Sequence, residues 1–512
     1  MTNDRFILSV DLGTTSVKQA LLNESGKIVA ISSREYSLIT PHVSWVECSE
    51  EIYWDAFRSG LAEILETSGV RSENIAALGI SAQGETLFFM DEHMKPLRNA
   101  IVWMDNRAGA QAKAQRERFG DKLCYSRTGQ VQFDPCWPAA KIMWVRDNEP
   151  EVFSRTKKTI LIEDWLIYRL TGKLVSEGSL LCSTLYWDIN TKKYWPEMLD
   201  FIGIDESYLP EILEPGTAVA HVDANAAKLT GLSKNTVVCT GALDQAAGAI
   251  GVGNIREGII SENIGAALAI CAPMNTPRFD PNRVMPLHYF GIKDMYMLHT
   301  FTTGGMAIKW FRDAFCSEER AVADASGRSA YGVMDDEVQR VKPGCDGLVA
   351  LPHLGGSMAP DVDPNAKGAF AGFTLKHTKA HFCRAIMESI GYIIRRNIDA
   401  LGDMGLKFEE LRSLGGGSKS DVWNQIKADI IHRSLVTTHS REAACLGAAV
   451  LAGSAVGIFP DVASAVDAFV KEKCRFEPNQ ENSAIYDRNY DLYKLMFHEL
   501  KGFFGASHEG EE

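Results

Sequence analysis

The sequence predicts an α/β fold, and three observations support this prediction. Apolar segments of strand length alternate with segments of helical periodicity, residues 6–32 read as three successive strands, and a short pattern near the N-terminus returns in the second half of the chain. Strands alternating with helices are typical of α/β proteins. At 512 residues and 46% hydrophobic composition the chain is too long for one core, so we expect two or three domains.

The first predicted element is a bent pair of strands. FILSV and VKQALL flank the bend Asp11-Leu12-Gly13-Thr14-Thr15, and NESG at 23–26 predicts a hairpin turn before KIVAIS. A glycine lets backbone N–H groups converge and threonines add donors, which suits phosphate oxygens, while Asp11 suits a divalent metal. An ordinary turn whose side chains cap their own backbone fits the same residues. Because the chain returns into a strand, the bend differs from the GxxxxGK[ST] and GxGxxG loops, which lead into helices.

A helix around 50–67 follows, then the strand IAALGISA ending at Gln83, and another strand before Trp103. Polar groups and an aromatic side chain gather at these predicted strand ends. They are Gln83, Glu85, Trp103, Asp105 and Arg107. Such a composition suits a polyhydroxylated ligand, although a surface loop has the same composition.

Residues 234–253 predict a buried strand that runs into a helix, with Asp244 at the junction. A carboxylate there is either a helix cap or a general base that takes a hydroxyl proton. Small residues follow it and allow another backbone to approach closely. They are Ala246, Ala247, Gly248, Ala249 and Gly251.

Residues 259–273 predict paired strands around Asn263-Ile264-Gly265-Ala266-Ala267, which repeats the frame of residues 11–15. Two copies of one hairpin suggest a duplicated domain with a join at 253–258, although so short a repeat also arises by chance.

Residues 411–430 predict a strand, three glycines and a helix capped by Ser420 or Asp421. Gly415, Gly416 and Gly417 leave room for a planar base, or form a simple strand-to-helix turn. The apolar segment 443–459 is too short to span a membrane, so we predict a buried helix.

The bulk composition narrows the possible partners. The net charge of −13 comes from dispersed carboxylates, so neither nucleic acid nor an anionic membrane is an expected partner. The N-terminus lacks the pattern of a signal peptide, which predicts a cytoplasmic protein. Eleven cysteines without CxxC pairs predict free thiols in that compartment.

In combination these segments resemble the FGGY carbohydrate kinases of the actin, sugar kinase and heat-shock ATPase superfamily, over essentially the whole chain. The similar segments are 10–26, 137–150 with Lys141 and Trp144, 241–253, 351–373 and 414–430. The resemblance implies two duplicated ribonuclease H-like, actin-like ATPase domains, each a mixed sheet flanked by helices, with an interdomain cleft. Residues 1–253 would form the sugar-binding side and 254–512 the ATP-binding side.

The resemblance also implies ATP and Mg²⁺ as cofactors. Asp244 would be the catalytic base, and Asp11 and Asp244 would lie at the metal. The residues implied at the nucleotide are Gly13, Thr14, Thr15, Lys18, Gly265, Ala266, Gly416, Gly417, Ser420 and Asn424. Those implied at the sugar are Gln83, Gly84, Glu85, Trp103, Asp105, Asp244 and Gln245. A homodimer is compatible with the resemblance.

Within the family the pattern is most similar to the xylulokinases, so phosphorylation of D-xylulose to D-xylulose 5-phosphate is the first expectation. However, Gln83-Gly84-Glu85-Thr86 and Asp244-Gln245 resemble the glycerol kinases, which leaves glycerol, another polyol or another ketose open. Gly265-Ala266-Ala267 lacks the hydroxyls usual in the second hairpin, and losing one or two hydrogen bonds to phosphate would slow transfer. A sugar and nucleotide sensor without appreciable transfer therefore stays an alternative.

Overall fold

The computed structural model describes residues 5–439 and 442–508, which fold into two units. The first unit contains the described residues of Met1–Ile255, Met274–Met297 and Glu442–Lys471. The second contains those of Arg256–Pro273, Leu298–Arg441 and Glu472–Glu512. Both units are therefore assembled from segments that are distant in sequence. The division of the chain at 253/254 into a sugar side and an ATP side stays a prediction.

The strands are β1 (Phe6–Leu12), β2 (Ser16–Asn23), β3 (Ile28–Glu35), β4 (Glu47–Cys48), β5 (Ile75–Ala82), β6 (Leu87–Met90), β7 (Ala100–Ile101), β8 (Lys158–Leu161), β9 (Val175–Glu177), β10 (Trp187–Asp188), β11 (Lys193–Tyr194), β12 (Glu211–Leu213), β13 (Ala218–His221), β14 (Val237–Cys239), β15 (Ala242–Leu243), β16 (Gly258–Ile264), β17 (Ala267–Met274), β18 (Leu287–Tyr289), β19 (Tyr296–Thr303), β20 (Val349–Leu351), β21 (Ala369–Ala371), β22 (Phe408–Gly415), β23 (Ser434–Thr438) and β24 (Glu472–Phe476).

The α-helices are α1 (Glu50–Ser68), α2 (Gly109–Thr128), α3 (Pro138–Asn148), α4 (Pro150–Arg155), α5 (Ile162–Thr171), α6 (Gly178–Leu181), α7 (Pro196–Ile202), α8 (Ala224–Thr230), α9 (Asp244–Gly251), α10 (Gly305–Phe315), α11 (Ser317–Ser326), α12 (Ala330–Val338), α13 (Lys379–Asp403), α14 (Asp421–Ile431), α15 (Ala443–Ala455), α16 (Val462–Phe469), α17 (Ser483–Glu499) and α18 (Lys501–His508).

The main sheets of the two units have the same strand order. In the first unit the order is β3-β2-β1-β5-β14-β13, and in the second it is β19-β17-β16-β22-β23-β24. In both sheets the central strand has an antiparallel neighbour on one side, β2 or β17, and a parallel one on the other, β5 or β22. The outermost pairs, β13 with β14 and β24 with β23, are antiparallel in both. This correspondence is the duplication that the repeated hairpin frame suggested.

A smaller antiparallel sheet of the first unit has the order β4-β7-β6-β8. Leu87, at the start of β6, pairs with Ile101, at the end of β7. The turns that precede β6 and follow β7, residues 84–86 and 102–103, therefore lie side by side. These turns contain the predicted sugar residues Glu85 and Trp103.

Helices α9 and α15 pack with their backbones in close contact. A Cβ atom added at Gly447 would overlap the carbonyl oxygen of Ala247, and one added at Gly251 would overlap that of Ala443. The small residues after Asp244 therefore admit a second backbone, as predicted, and that backbone is α15. This helix is buried over most of its length, and within residues 5–439 and 442–508 no helix is long and apolar enough to cross a membrane.

Most predicted elements are confirmed. The bend joins β1 to β2, and Gly26, with a φ of 77°, closes the turn that follows β2. The predicted helix around 50–67 is α1, capped by the Ser49 side chain at the amide of Ile52. All eleven cysteines are free thiols, as predicted.

Candidate active site

The candidate active site lies at the edge of the first sheet where three neighbouring strands end. β1 and β15 both pair with β5 in parallel, so the carboxyl ends of all three strands meet at one edge. Open α/β sheets bind their ligands at such edges. Asp11 lies near the end of β1, and Asp244 directly follows β15 as the first residue of α9.

The charges of Asp11 and Glu85 both act on Asp244, and we call these three residues the carboxylate cluster. Burial, followed by the charges of Asp11 and Glu85, raises the pKa of Asp244 to about 7, against hydrogen bonds from Gln245. Burial also raises the pKa of Asp11, although Ser81 Oγ donates a hydrogen bond to its Oδ1 at 2.8 Å. Burial raises the pKa of Glu85 as well. A carboxyl group with a pKa near 7 suits a general base at neutral pH.

The bend at residues 13–15 is fixed from several sides. The carbonyl of Gly13 accepts hydrogen bonds from Tyr36 Oη at 2.5 Å and from Gln83 Nε2 at 3.1 Å. The indole N–H of Trp103 donates to Thr14 Oγ1 at 2.8 Å. The side chain of Thr15 is exposed. The bend is therefore held by several hydrogen bonds while Thr15 is exposed, an arrangement that suits phosphate oxygens.

Gln83 lies beneath the bend. It is 2% exposed, and its amide nitrogen donates hydrogen bonds to the carbonyl oxygen of Gly13 and, at 3.4 Å, to Tyr53 Oη. In the described part of the chain its Oε1 has no hydrogen-bond partner. In this structure Gln83 positions the bend, and a direct contact with sugar stays a prediction.

Lys18 lies directly across the strand pair from Asp11. Its ammonium forms an ion pair with Glu442 Oε2 at 2.5 Å. Burial lowers the pKa of Lys18, but the hydrogen bond and charge of Glu442 outweigh burial and raise the pKa above its usual value. Lys18 therefore stays charged beside Asp11, and the predicted phosphate contact would have to compete with Glu442.

Asp105 has protein partners for both of its carboxylate oxygens. The Arg107 Nε donates to Oδ1 at 2.9 Å and its Nη2 to Oδ2 at 2.8 Å, and the amide of Val46 also donates to Oδ2. Arg107 further donates to Glu47 and lies over the ring of Trp45, 4.1 Å from its centroid. These hydrogen bonds stabilise the loop that contains Asp105, and the predicted contact of Asp105 with sugar is untested.

Gly84 is buried against Leu243 and Ser183. A Cβ at this position would lie 3.1 Å from Leu243 Cδ1 and 3.3 Å from Ser183 Oγ. Glu85 follows it with a φ of 58°, in the left-handed region that is uncommon for residues other than glycine.

Two buried carboxylates that the sequence analysis missed hold the segment leading into Asp244. Glu163 Oε1 accepts the amide of Gly241 at 2.8 Å. The hydroxyl of Ser179 donates to Glu177 and accepts the amide of Leu243 at 2.9 Å. Because Glu163 and Glu177 lie far from Asp244 in sequence, no local pattern pointed to them.

In the second unit the parallel strands β16 and β22 also end together. Gly415, with a φ of 78°, approaches Asn263, and a Cβ at Gly417 would lie 2.8 Å from Ile264. Gly416 lies between them in the same turn. Gly265 and Ala266, in the bend after β16, are exposed.

The predicted adenosine residues Ser420 and Asn424 stabilise the start of α14. Ser420 Oγ caps the helix at the amide of Trp423, at 3.0 Å. Asn424 is fully buried, its Nδ2 donates to the carbonyl of Ser418 at 2.9 Å, and its Oδ1 has no partner among the described residues. These roles leave the predicted contact with adenosine untested.

The site offers few protein ligands for a metal ion. Among the described residues no group of three or more His, Cys, Asp or Glu side chains is arranged to hold a metal. Mg²⁺ in phosphoryl-transfer enzymes is commonly held by one or two carboxylates together with substrate phosphates and water. Asp11 and Asp244 fit that requirement, since the charge of Asp11 raises the pKa of Asp244 and a bound cation would relieve that repulsion.

Comparison with known proteins defines the class and then the family. The fold matches the crystal structure of ligand-bound xylulose kinase from Lactobacillus acidophilus, with a TM-score of 0.88, 28% identity and coverage of 98% of this chain and 99% of that one. Gluconate kinase from Lactobacillus acidophilus gives a TM-score of 0.89 at 28% identity, with the same coverage. The protein is thus an ATP-dependent sugar phosphotransferase with an actin-like ATPase fold, as predicted.

Family models identify the protein more closely. The model of the FGGY family of carbohydrate kinases, N-terminal domain, matches residues 6–251, and that of the C-terminal domain matches residues 274–456. The chain belongs to the FGGY family of carbohydrate kinases, which confirms the resemblance seen in the sequence.

The relatives differ in substrate. Xylulose kinase of Bacillus subtilis is 30% identical over 498 residues, which cover 97% of each chain. Gluconokinase of Bacillus subtilis is 30% identical over 482 residues, covering 94% of this chain and 93% of the other. Glycerol kinase of Bacillus subtilis is 30% identical over 506 residues, covering 96% and 97%. Equal identities to three kinases leave the choice of substrate to the chemistry of the site.

Proposed function

We propose that this protein transfers the γ-phosphoryl group of ATP to a terminal hydroxyl of an uncharged ketose, with D-xylulose as the first candidate and D-xylulose 5-phosphate as its product. The observation that supports this proposal most directly is the carboxylate cluster with the raised pKa of Asp244. Asp244 takes the hydroxyl proton as the hydroxyl oxygen attacks the γ-phosphorus, the bond from phosphorus to the bridging oxygen breaks, and ADP leaves. Bound Mg²⁺, held by Asp11 and Asp244, would neutralise charge on the phosphate oxygens.

The electrostatics of the site favour a neutral acceptor over an aldonate. The carboxylate cluster is negative, and the cations beside it already have partners: Lys18 pairs with Glu442, and Lys141 donates to three backbone carbonyls. A substrate carboxylate placed here would meet like charges, which costs several kcal/mol. Gluconate is therefore disfavoured, although relatives of similar identity are named gluconokinases.

The choice between a ketose and glycerol depends on Gly84 and Glu85. The glycerol kinases that this stretch resembles carry arginine where this chain has Gly84, so this chain lacks the N–H donors that an arginine would offer to a polyol. Glu85 accepts hydrogen bonds from hydroxyl groups and donates none when ionised. These features support a five-carbon ketose, with glycerol or another polyol as the second candidate.

For the nucleotide we propose that the bend at 13–15 binds the terminal phosphates and that the turn at 415–417, with Ser420 and Asn424, binds adenosine. This proposal rests on the family resemblance, on the bend fixed at Gly13 and Thr14, and on the turn at Gly415, whose φ of 78° favours glycine. Location in the cytoplasm and assembly into a homodimer are proposals on the resemblance alone.

An acceptor panel with detection of ADP tests the function. Purified protein is assayed with ATP, Mg²⁺ and one acceptor at a time: D-xylulose, D-ribulose, glycerol or D-gluconate. We expect the highest kcat/KM with D-xylulose and at least about 100-fold less with gluconate, because like-charge repulsion of several kcal/mol exceeds the energy of a hundredfold change. A preference for gluconate would contradict the neutral acceptor. Sugar binding without ADP release would favour the sensor that the bend Gly265-Ala266-Ala267 suggested.

A further inference from the structure

Lys141 is a fully buried lysine of the first unit, placed next to the acceptor residues but assigned to no role in the reaction. It projects from α3, and its Nζ lies 3.0 Å from the carbonyl oxygen of Glu85, 3.0 Å from that of Val102 and 3.5 Å from that of Trp103. An ammonium group has three N–H donors and no acceptor. Each donor therefore has one carbonyl partner, so the buried charge is fully hydrogen-bonded.

The three carbonyls belong to two different turns. Glu85 lies in the turn before β6, and Val102 and Trp103 lie in the turn after β7. The amide of Trp103 also donates to Thr86 Oγ1 at 3.2 Å, which adds a second link between the turns. Lys141 thus joins two backbone segments that meet only because β6 pairs with β7.

The Glu85 carbonyl belongs to a residue that needs such support. With a φ of 58°, Glu85 occupies a left-handed conformation that is unfavourable for a residue with a side chain. A hydrogen bond from a buried ammonium holds this conformation in place. The Trp103 indole in turn holds Thr14 at the bend, so the second turn supports the proposed phosphate side.

We propose that Lys141 is a positioning residue for the phosphoryl acceptor: it ties the turn of Glu85 to the turn of Trp103 and so fixes the Glu85 carboxylate and the Trp103 indole for the substrate. This inference rests on the proposed function for its kinetic consequence, while the backbone link itself does not. α3 is a suitable base for the link because a second residue of this helix, Trp144, also contacts the segment after β7: its ring lies 4.9 Å from the guanidinium of Arg107.

The test compares two substitutions, Lys141→Met and Lys141→Gln. Methionine fills a similar volume without donors, whereas glutamine keeps two N–H donors and should retain part of the link. The matched control is Gln111→Met, because Gln111 is a buried amide in α2 whose hydrogen bond goes to Asp147, at the other end of α3, and to neither turn.

Hydrogen exchange gives a readout that is independent of activity. In Lys141→Met we expect faster exchange of the amides in residues 84–86 and 102–105 than in wild type, with Lys141→Gln intermediate and Gln111→Met unchanged there. Unchanged exchange in both turns of Lys141→Met, or a uniform increase throughout the first unit, would overturn the link.

Steady-state kinetics tests the consequence for the reaction. With the acceptor that wild type uses best, Lys141→Met should lower kcat/KM for the acceptor by about 10- to 100-fold through misplacement of the acceptor groups, while KM for ATP stays within about twofold. An equal loss for ATP and acceptor would overturn the positioning role. If wild type phosphorylates no acceptor, the proposed function fails, and the exchange experiment still decides the link.

Discussion

Asp244 meets three requirements of a general base: a fixed position, hydrogen bonds that hold it, and a suitable pKa. It is placed by the start of a helix, it is held by hydrogen bonds from Gln245, and its proton affinity is tuned by burial and by the charges of Asp11 and Glu85. The pKa of about 7 means that the group is ionised in a useful fraction near neutral pH and still binds a proton well. Substitution of either neighbouring carboxylate should therefore change the pH dependence of catalysis.

The pH dependence of kcat/KM for the acceptor tests this tuning. The base must be ionised, so kcat/KM should rise about tenfold per pH unit below a midpoint near 7 and level off above it. In Glu85→Gln the midpoint should move to lower pH, because one of the charges that raise the pKa of Asp244 is gone. A profile that is flat between pH 5.5 and 7.5, or an unchanged midpoint in Glu85→Gln, would contradict this assignment.

The contacts of individual side chains were harder to predict than the types of residue at the site. Asp11 and Asp244 could be singled out because each stands where a strand ends, and the structure brings both to one edge of the sheet, while their roles stay predictions. The partners of Gln83 and Asp105 were not predicted, because the orientation of a side chain depends on which group from elsewhere in the chain lies beside it. Glu442, the partner of Lys18, lies 424 residues further along the sequence.

At the scale of elements, the position of Asp244 depends on how α9 packs against α15. Gly251 and Gly447 each contact the backbone of the opposite helix, so neither helix can rotate or move without a clash. Gly79 of β5 lies against Ala448 of α15 in the same way. Rigid packing of this kind fixes the start of α9 relative to the ends of β1 and β5.

Gly447→Ala tests this packing. A methyl group at this position would overlap the Ala247 carbonyl, so α9 must shift. We expect the free energy of unfolding to fall by about 1–3 kcal/mol, as for other overpacked sites, and kcat/KM for the acceptor to fall as well. The measurements are denaturant unfolding and steady-state kinetics.

Gly109→Ala is the matched control for Gly447→Ala. Gly109 is the exposed first residue of α2, and a Cβ there would meet no atom within 4 Å. We expect stability and kinetics like those of wild type. Equal behaviour of the two variants would contradict the role given to the contact between α9 and α15.

The hairpins, α1, α9, α14 and α15 could be predicted as elements because each carries its own local pattern of periodicity, caps or turn residues. The neighbours of a strand in the sheet have no such pattern. The place of β14 beside β5, for example, follows from packing between residues about 160 positions apart in sequence, as between Thr236 and Ile75 at a separation of 161.

At the scale of the whole molecule, the duplication is the main result of the fold. A repeat of five residues suggested it, and the equal strand order of the two main sheets supports it. The first unit nevertheless includes two segments from the second half of the chain, Met274–Met297 and Glu442–Lys471. The sequence pattern did not predict this assignment, because it depends on contacts between residues far apart in sequence, such as Lys18 with Glu442. The family match over residues 6–251 and 274–456 covers both halves of the duplicated chain.

The most direct measurement of the central claim compares wild type with Asp244→Asn in a reaction containing ATP, Mg²⁺ and D-xylulose, followed by phosphorus NMR of the products and by titration with ADP. We predict that wild type forms a sugar phosphate and ADP in equal amounts. Asp244→Asn should form them at least about 100-fold more slowly, since a general base contributes that much, with ADP affinity nearly unchanged. A variant that keeps more than about a tenth of the wild-type rate would contradict the account.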